Sequence, residues 1–148
     1  TTLAALTFSP AFSAGVSSYG IGDLEALARD THKFESRYLD GLVGPYPEAK
    51  HIYVERSPIH HVDRLESAML LLQGLDDKVV PPNQAQTMAD AVRSKGLPVA
   101  HIEFAGEGHG FRKAETIRAA VEAELSFYGQ VFGYTPADDI APVRVDNI

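Results

Sequence analysis

Two short stretches combine residue types that can move protons. Residues 74–81 read "GLDDKVVP" and residues 106–111 read "GEGHGF". The first offers adjacent carboxylates, Asp76 and Asp77. The second offers one imidazole, His109, set between glycines. A carboxylate that accepts the Nδ1–H of an imidazole fixes its tautomer and leaves Nε2 free as a base. Gly108 and Gly110 let the backbone turn sharply and give His109 room to swing towards a substrate. Taken singly, each residue has a plainer role: an aspartate before a helix caps it or forms a turn, and a histidine in a loop is solvated. Their chemistry depends on the elements that carry them.

Those elements are legible. "SAMLLLQG" from Ser67 is a continuous apolar run ending at glycine, the pattern of a strand buried on both faces. "VVPPNQAQTMADAVRSKGLP" comes next as a helix. It starts at Pro82 and Asn83, with Gln86 in a capping-box position, and Gly96 and Pro98 end it. Ala85, Met88 and Val92 make its buried stripe. "VAHIEFAG" is the next strand, with Ala100, Ile102 and Phe104 on one face. In the long helix "KAETIRAAVEAELSFYGQVFG", Ile117, Val121, Leu125, Tyr128 and Phe132 form a helical stripe expected to be buried. The tail from Thr135 is expected to be irregular and packed on the surface.

Upstream, residues 1–8 read as helix and 14–20 as a short strand. Asp23 caps a helix through "LEALARDTHKF", in which Leu24, Leu27 and Ala28 share a face. A second short helix at 35–40 stops at Gly41 and Gly44, and residues 44–58 read as irregular. This alternation implies an α/β fold with a parallel sheet. The two loops leave consecutive strands at one edge, and adjacent parallel strands lie about 5 Å apart, so an acid and a histidine at their tips can touch.

Composition narrows the classes. The chain has 148 residues, 45% of them hydrophobic, enough for one domain with a core. The start has no basic region of a signal peptide, and no apolar run is long enough to span a bilayer. There is no cysteine, which excludes a disulfide scaffold, a zinc-thiolate site and a cysteine nucleophile. The formal net charge of -7 argues against nucleic-acid binding. No membrane partner, no cofactor and no metal are expected, and the expected location is cytoplasmic. "HHVD" (His60, His61, Asp63) is a weak metal candidate, because adjacent histidines on an extended chain point apart. His32, His51 and His101 read as surface or packing residues.

An aspartate after one late strand and a histidine after the next resembles the arrangement of α/β-hydrolases. "GLDDKVVPPNQ" followed by "GEGHGF" resembles, more narrowly, the C-terminal half of the catalytic domain in the prolyl oligopeptidase family of serine peptidases. That family includes acylaminoacyl peptidases and dipeptidyl aminopeptidases. "TTLAAL" and "AGVSSYGIGDLEALARDTHKFESRYL" resemble the segment after the nucleophile there, and "SPIHHVDRL" resembles the segment before the acid strand. The resemblance covers nearly the whole chain. It implies that residues 1–148 are part of an α/β-hydrolase domain, its C-terminal portion, with three strands and flanking helices. It also implies cofactor-free hydrolysis of short peptides through a Ser-His-Asp acyl-enzyme mechanism. The common hydrolase pattern G-x-x-D-x-x-V-P fits Gly74, Asp77, Val80 and Pro81 and makes Asp77 the acid. Family members with the acid first in an Asp-Asp pair keep Asp76 as the alternative. By the same resemblance Lys78, Val79 and Val80 face the cleft, and Tyr19 is a further substrate-binding candidate.

A triad needs a nucleophile, and the family's serine lies in a Gly-x-Ser-x-Gly turn between strand and helix. Ser17 stands two residues after Gly15, but Tyr19 occupies the second glycine position and no helix begins at once after it. Ser9, Ser13 and Ser57 sit near prolines or in loops. The expectation is therefore a chain that begins just after the serine, whose partner is the missing N-terminal part of the same protein. On its own it would hydrolyse little or nothing, and the strand at 14–20 would expose an edge prone to self-association. Two rivals keep the fold: an esterase or dienelactone-type hydrolase, and a non-catalytic α/β interaction module.

Overall fold

A computed structural model describes residues 1–30 and 37–148. In chain order the elements are α1 (Thr2–Phe8), β1 (Ala14–Ser18), α2 (Leu24–Asp30), α3 (Tyr38–Leu42) and α4 (Lys50–Arg56). A 3-10 helix (Pro58–Arg64), β2 (Ala68–Gly74), α5 (Asn83–Ser94), β3 (Val99–Phe104) and α6 (Ala114–Phe132) complete the series. The strands form one parallel sheet in the order β1-β2-β3. All seven residues of the central strand are buried, as its unbroken apolar run requires. Its side chains alternate between two layers. Met69 and Leu71 pack with Leu3 and Leu6 of α1 and with Met88 and Val92 of α5. Leu70 and Leu72 pack with Ala100 of β3 and with Ala120, Ala123 and Phe127 of α6.

The upstream helices obey local chemistry. Asp23 Oδ1 accepts the N–H groups of Glu25 and Ala26, so it caps α2 as its residue type predicts. The expected continuation of that helix to Phe34, and the expected start of the next at residue 35, lie outside the described residues. The next helix differs from expectation by running through Gly41 to Leu42. The chain breaks instead at Gly44, where φ is +140°. Residues 44–58, expected to be irregular, contain α4. Pro45 and Pro47 both precede this helix, where proline does no harm. The fully buried Tyr53 anchors it, with its hydroxyl donating to the Gly44 carbonyl at 2.8 Å.

Two further expectations need correcting. The capping box at Asn83 and Gln86 does not form. The cap position is Pro82, so Asn83 is already inside the helix, and Gln86 reaches forward to Asp90 at 2.9 Å. The stripe of α6 is also turned. Ile117, Val121 and Phe132 are 47%, 61% and 54% exposed, with Leu125 and Tyr128 half-buried, while Ala120, Ala123 and Phe127 face the sheet. Small residues allow the helix backbone to approach the strands closely, and that contact outweighs burial of the larger stripe.

The tail is irregular, as expected, but fastened. Val99 and Asp146 exchange both backbone hydrogen bonds, at 3.0 and 2.8 Å. The Asp146 carboxylate accepts from Arg93 Nε at 2.8 Å and from Arg144 at 3.2 Å. The Arg93 hydrogen bond is the main reason the Asp146 carboxyl sits below its ordinary value of 3.8; Arg144 adds to this, against an opposing push from burial. A depressed carboxyl pKa stabilises the fold above the unfolded value, and the gain is lost as pH falls through the folded one. Hydrogen-exchange protection of the Val99 and Asp146 amides should therefore drop as pH falls below about 3.8. Asp146→Asn should loosen the tail already at neutral pH and abolish that acid step.

Candidate active site

Both expected loops leave the sheet at the carboxyl ends of neighbouring strands, β2 and β3. Main-chain bonds join them: Leu75 N–H donates to Phe104 O at 3.0 Å, and Asp76 N–H donates to Glu107 O at 2.9 Å. Gly74 makes this approach possible. A Cβ there would lie 2.4 Å from Glu107 O and 2.6 Å from Gly108 O, distances no real side chain tolerates.

Asp77 sits beneath this junction with its side chain fully buried. Its Oδ1 accepts the N–H groups of Val79 at 2.9 Å and Val80 at 2.8 Å, which folds the acid loop around it. Its Oδ2 lies 2.9 Å from His109 Nδ1. A carboxylate can only accept, so this contact puts a proton on Nδ1, and in the neutral ring Nε2 is then the free acceptor. The His109 side chain is 38% exposed, which leaves the far edge of the ring open to a reactant. Asp76, the alternative acid, is exposed and has no side-chain bond to the ring.

The ring of Tyr19 packs against this pair. It comes directly after β1 with φ at +45°, in the left-handed region, and its N–H donates to Leu72 O at 2.8 Å. Its ring centroid lies 4.9 Å from that of His109 and 5.3 Å from that of Phe111. A residue other than glycine costs on the order of 1 kcal/mol there. Aromatic contacts of this kind return a comparable amount, about 0.5–1.5 kcal/mol each.

Beside His109 opens a cavity of about 800 Å³. Tyr19, Val79 and Val80 line it together with Leu24 and Leu27 of α2 and Leu42 of α3. Lys78 is exposed and is not among the residues that line this cavity.

The family model for the prolyl oligopeptidase family matches residues 1–135. The chain belongs to the prolyl oligopeptidase family. Among solved structures, a puromycin-hydrolysing peptidase of Mycobacterium tuberculosis superposes with a TM-score of 0.91 at 49% identity, over 97% of this chain and 22% of that one. A puromycin hydrolase superposes at 0.90 and 42% identity, over the same shares of the two chains. Dipeptidyl aminopeptidase BIII of Pseudoxanthomonas mexicana is 30% identical over 99% of this chain and 24% of its own length. This prolyl oligopeptidase family chain thus spans about a quarter of the length of the relatives it matches.

Two buried polar residues beside the Asp77–His109 pair are not marked out by residue type and spacing. Gln73 is fully buried at the end of β2, with Nε2 within 3.1 Å of Gly74 O and Val80 O and 3.3 Å of Asp77 Oδ2. Its signal was a lone amide in an otherwise apolar strand, which must find partners nearby. Glu107 is 2% exposed despite its two glycine neighbours. Its signal was a carboxylate shortly before a helix with no capping residue of its own.

Of the other histidines, His32 lies outside the described residues, His51 and His60 are exposed, and His61 and His101 pack. His61 lies edge-on to Phe8, with ring centroids 5.2 Å apart. Burial pushes the His101 imidazole below its ordinary pKa. Among the described residues no group of three or more His, Asp or Glu side chains is placed to hold a metal ion, and none of their helices is long and apolar enough to cross a membrane.

Because Gly74 touches the histidine loop through backbone atoms, Gly74→Ala must push the two loops apart. It should destabilise the chain by about 2 kcal/mol, the usual scale of overpacking. It should also break the Asp77–His109 contact, read as loss of the hydrogen-bonded Nδ1 proton in the NMR spectrum. An unchanged urea midpoint and an unchanged Nδ1 signal would refute the tight-approach argument.

Proposed function

We propose that this chain supplies the acid and the base of a serine peptidase, with Asp77 orienting His109. The reading rests on one observation: a fully buried carboxylate oxygen 2.9 Å from Nδ1 of an imidazole whose other edge is open. The nucleophile is a serine outside these 148 residues, which contain no Gly-x-Ser-x-Gly turn. Residues 1–148 then form the C-terminal portion of a catalytic domain whose remainder carries that turn.

In the reaction, the serine Oγ attacks a peptide carbonyl and its proton passes to His109 Nε2. His109 returns the proton to the leaving amine as the C–N bond breaks, leaving an acyl-enzyme. Water then attacks the acyl carbonyl and gives a proton to Nε2, and that proton passes to the serine Oγ as the acyl C–O bond breaks and the acid leaves. Asp77 stays ionised throughout and stabilises the imidazolium. The apolar cavity beside His109 supports an apolar or aromatic side chain on the substrate next to the bond that is cut. The hydrolysis named for the puromycin-hydrolysing relatives supports small amide substrates for this chain as well. The absence of cysteine fits a cytoplasmic enzyme.

In the intact protein, Asp77→Asn should lower kcat on peptide amides by about 10⁴ with the fold retained. Asp76→Asn should leave kcat close to wild type. The reverse pattern would unseat Asp77 as the acid, and cleavage of esters without any cleavage of matched amides would move the activity from peptidase to esterase. The free edge of β1 is where we expect the nucleophile-bearing part to pair. When the 148-residue chain is studied alone, two copies should pair there. Sedimentation velocity should reveal a dimer at high concentration, and a monomer boundary throughout would count against the open edge.

A further inference from the structure

We propose that Glu107 is a positioning residue that holds His109 at its working place. The inference rests on the reading of His109 as the base. The loop from β3 to α6 is poorly constrained by its own composition. Gly106, Gly108 and Gly110 alternate through it, with φ of +73° at Gly106 and +95° at Gly110. Glycine loses the most freedom on ordering, so this loop needs an external anchor. The His109 side chain has one hydrogen bond, to Asp77, and nothing in that bond fixes the loop's backbone.

Glu107 provides the anchor. Its carboxylate turns under the loop and accepts Arg112 N–H and Lys113 N–H, each at 3.0 Å. The helix has no other side-chain cap, since Lys113 at the cap position makes no such bond. A negative charge here also meets the positive end of a 19-residue helix. Burial alone would push the Glu107 carboxyl up, but the Arg112 and Lys113 amides and the Thr116 hydroxyl outweigh it and hold it below the ordinary range. The carbonyl of the same residue accepts Asp76 N–H at 2.9 Å. One residue, two positions before His109, therefore ties the loop to α6 through its side chain and to the acid loop through its main chain. Its burial keeps it away from substrate, so it acts through His109.

A plain helix cap would cost stability and leave the chemistry alone. The two roles separate in the intact protein with Glu107→Gln, which sets an amide N–H₂ against a backbone N–H. The expected result is a kcat lower on the order of 30-fold, the scale of an ångström-sized misplacement, with KM within about twofold. The His109 Nδ1 proton should exchange faster with water in the same variant. Ala119→Gly, an exposed site within α6, destabilises the helix by about 1 kcal/mol without touching the loop and should leave kcat unchanged. If Glu107→Gln fails to fold, Glu107→Asp keeps the charge but shortens the reach to the Arg112 and Lys113 amides, and should lower kcat in the same direction by less.

If Glu107→Gln, or Glu107→Asp in its place, lowers stability as Ala119→Gly does but keeps wild-type kcat and Nδ1 exchange, Glu107 is only a cap and the inference fails. If Asp77→Asn and His109→Ala also keep full activity, the failure belongs instead to the reading of His109 as base.

Discussion

A carboxylate taken fully out of water needs donors on both oxygens, and Asp77 obtains all of its donors within a few residues of chain or across one strand. Two come from the loop that bears it, one from the end of its own strand and one from the ring of His109. Burial without those partners would cost several kcal/mol. The donors therefore dictate how the acid loop bends, where Gln73 points and where the histidine must stand. The sheet serves that need: neighbouring parallel strands end at one edge, and the loops that leave them meet there.

The two-layer packing carries the requirement outward. The apolar run of β2 demands cover on both faces, and α5 and α6, the helices before and after β3, supply it. The same helices begin directly after the acid loop and the histidine loop. Packing them against the sheet thus pulls each loop tight. Glu107 is where this coupling is strongest, because the cap of α6 and the last residues before His109 share one side chain.

Much of this was legible in the sequence. The strands and the order of the two loops come from apolar runs and from the alternation of strand and helix along the chain. The outward stripe of α6 was not legible. Helical periodicity identifies a face but not its direction, and Ala120 and Ala123 won the inner face because they are small. The helix at 50–56 was hidden by prolines that lie before it rather than in it. Gln73 and Glu107 were missed for a shared reason: most of their partners are backbone groups, and backbone groups leave no letter in the sequence.

The contact of Gly74 with the Glu107 and Gly108 carbonyls has a consequence for motion. With no side chain to act as a cushion, the two loops cannot slide past one another, so any breathing of this edge carries both together. Acid and base then behave as a single stiff insert whose internal spacing survives thermal fluctuation. Adjustment to reactants of different size falls to the opposite wall, where α2 and α3 present flexible leucines rather than close-packed main chain.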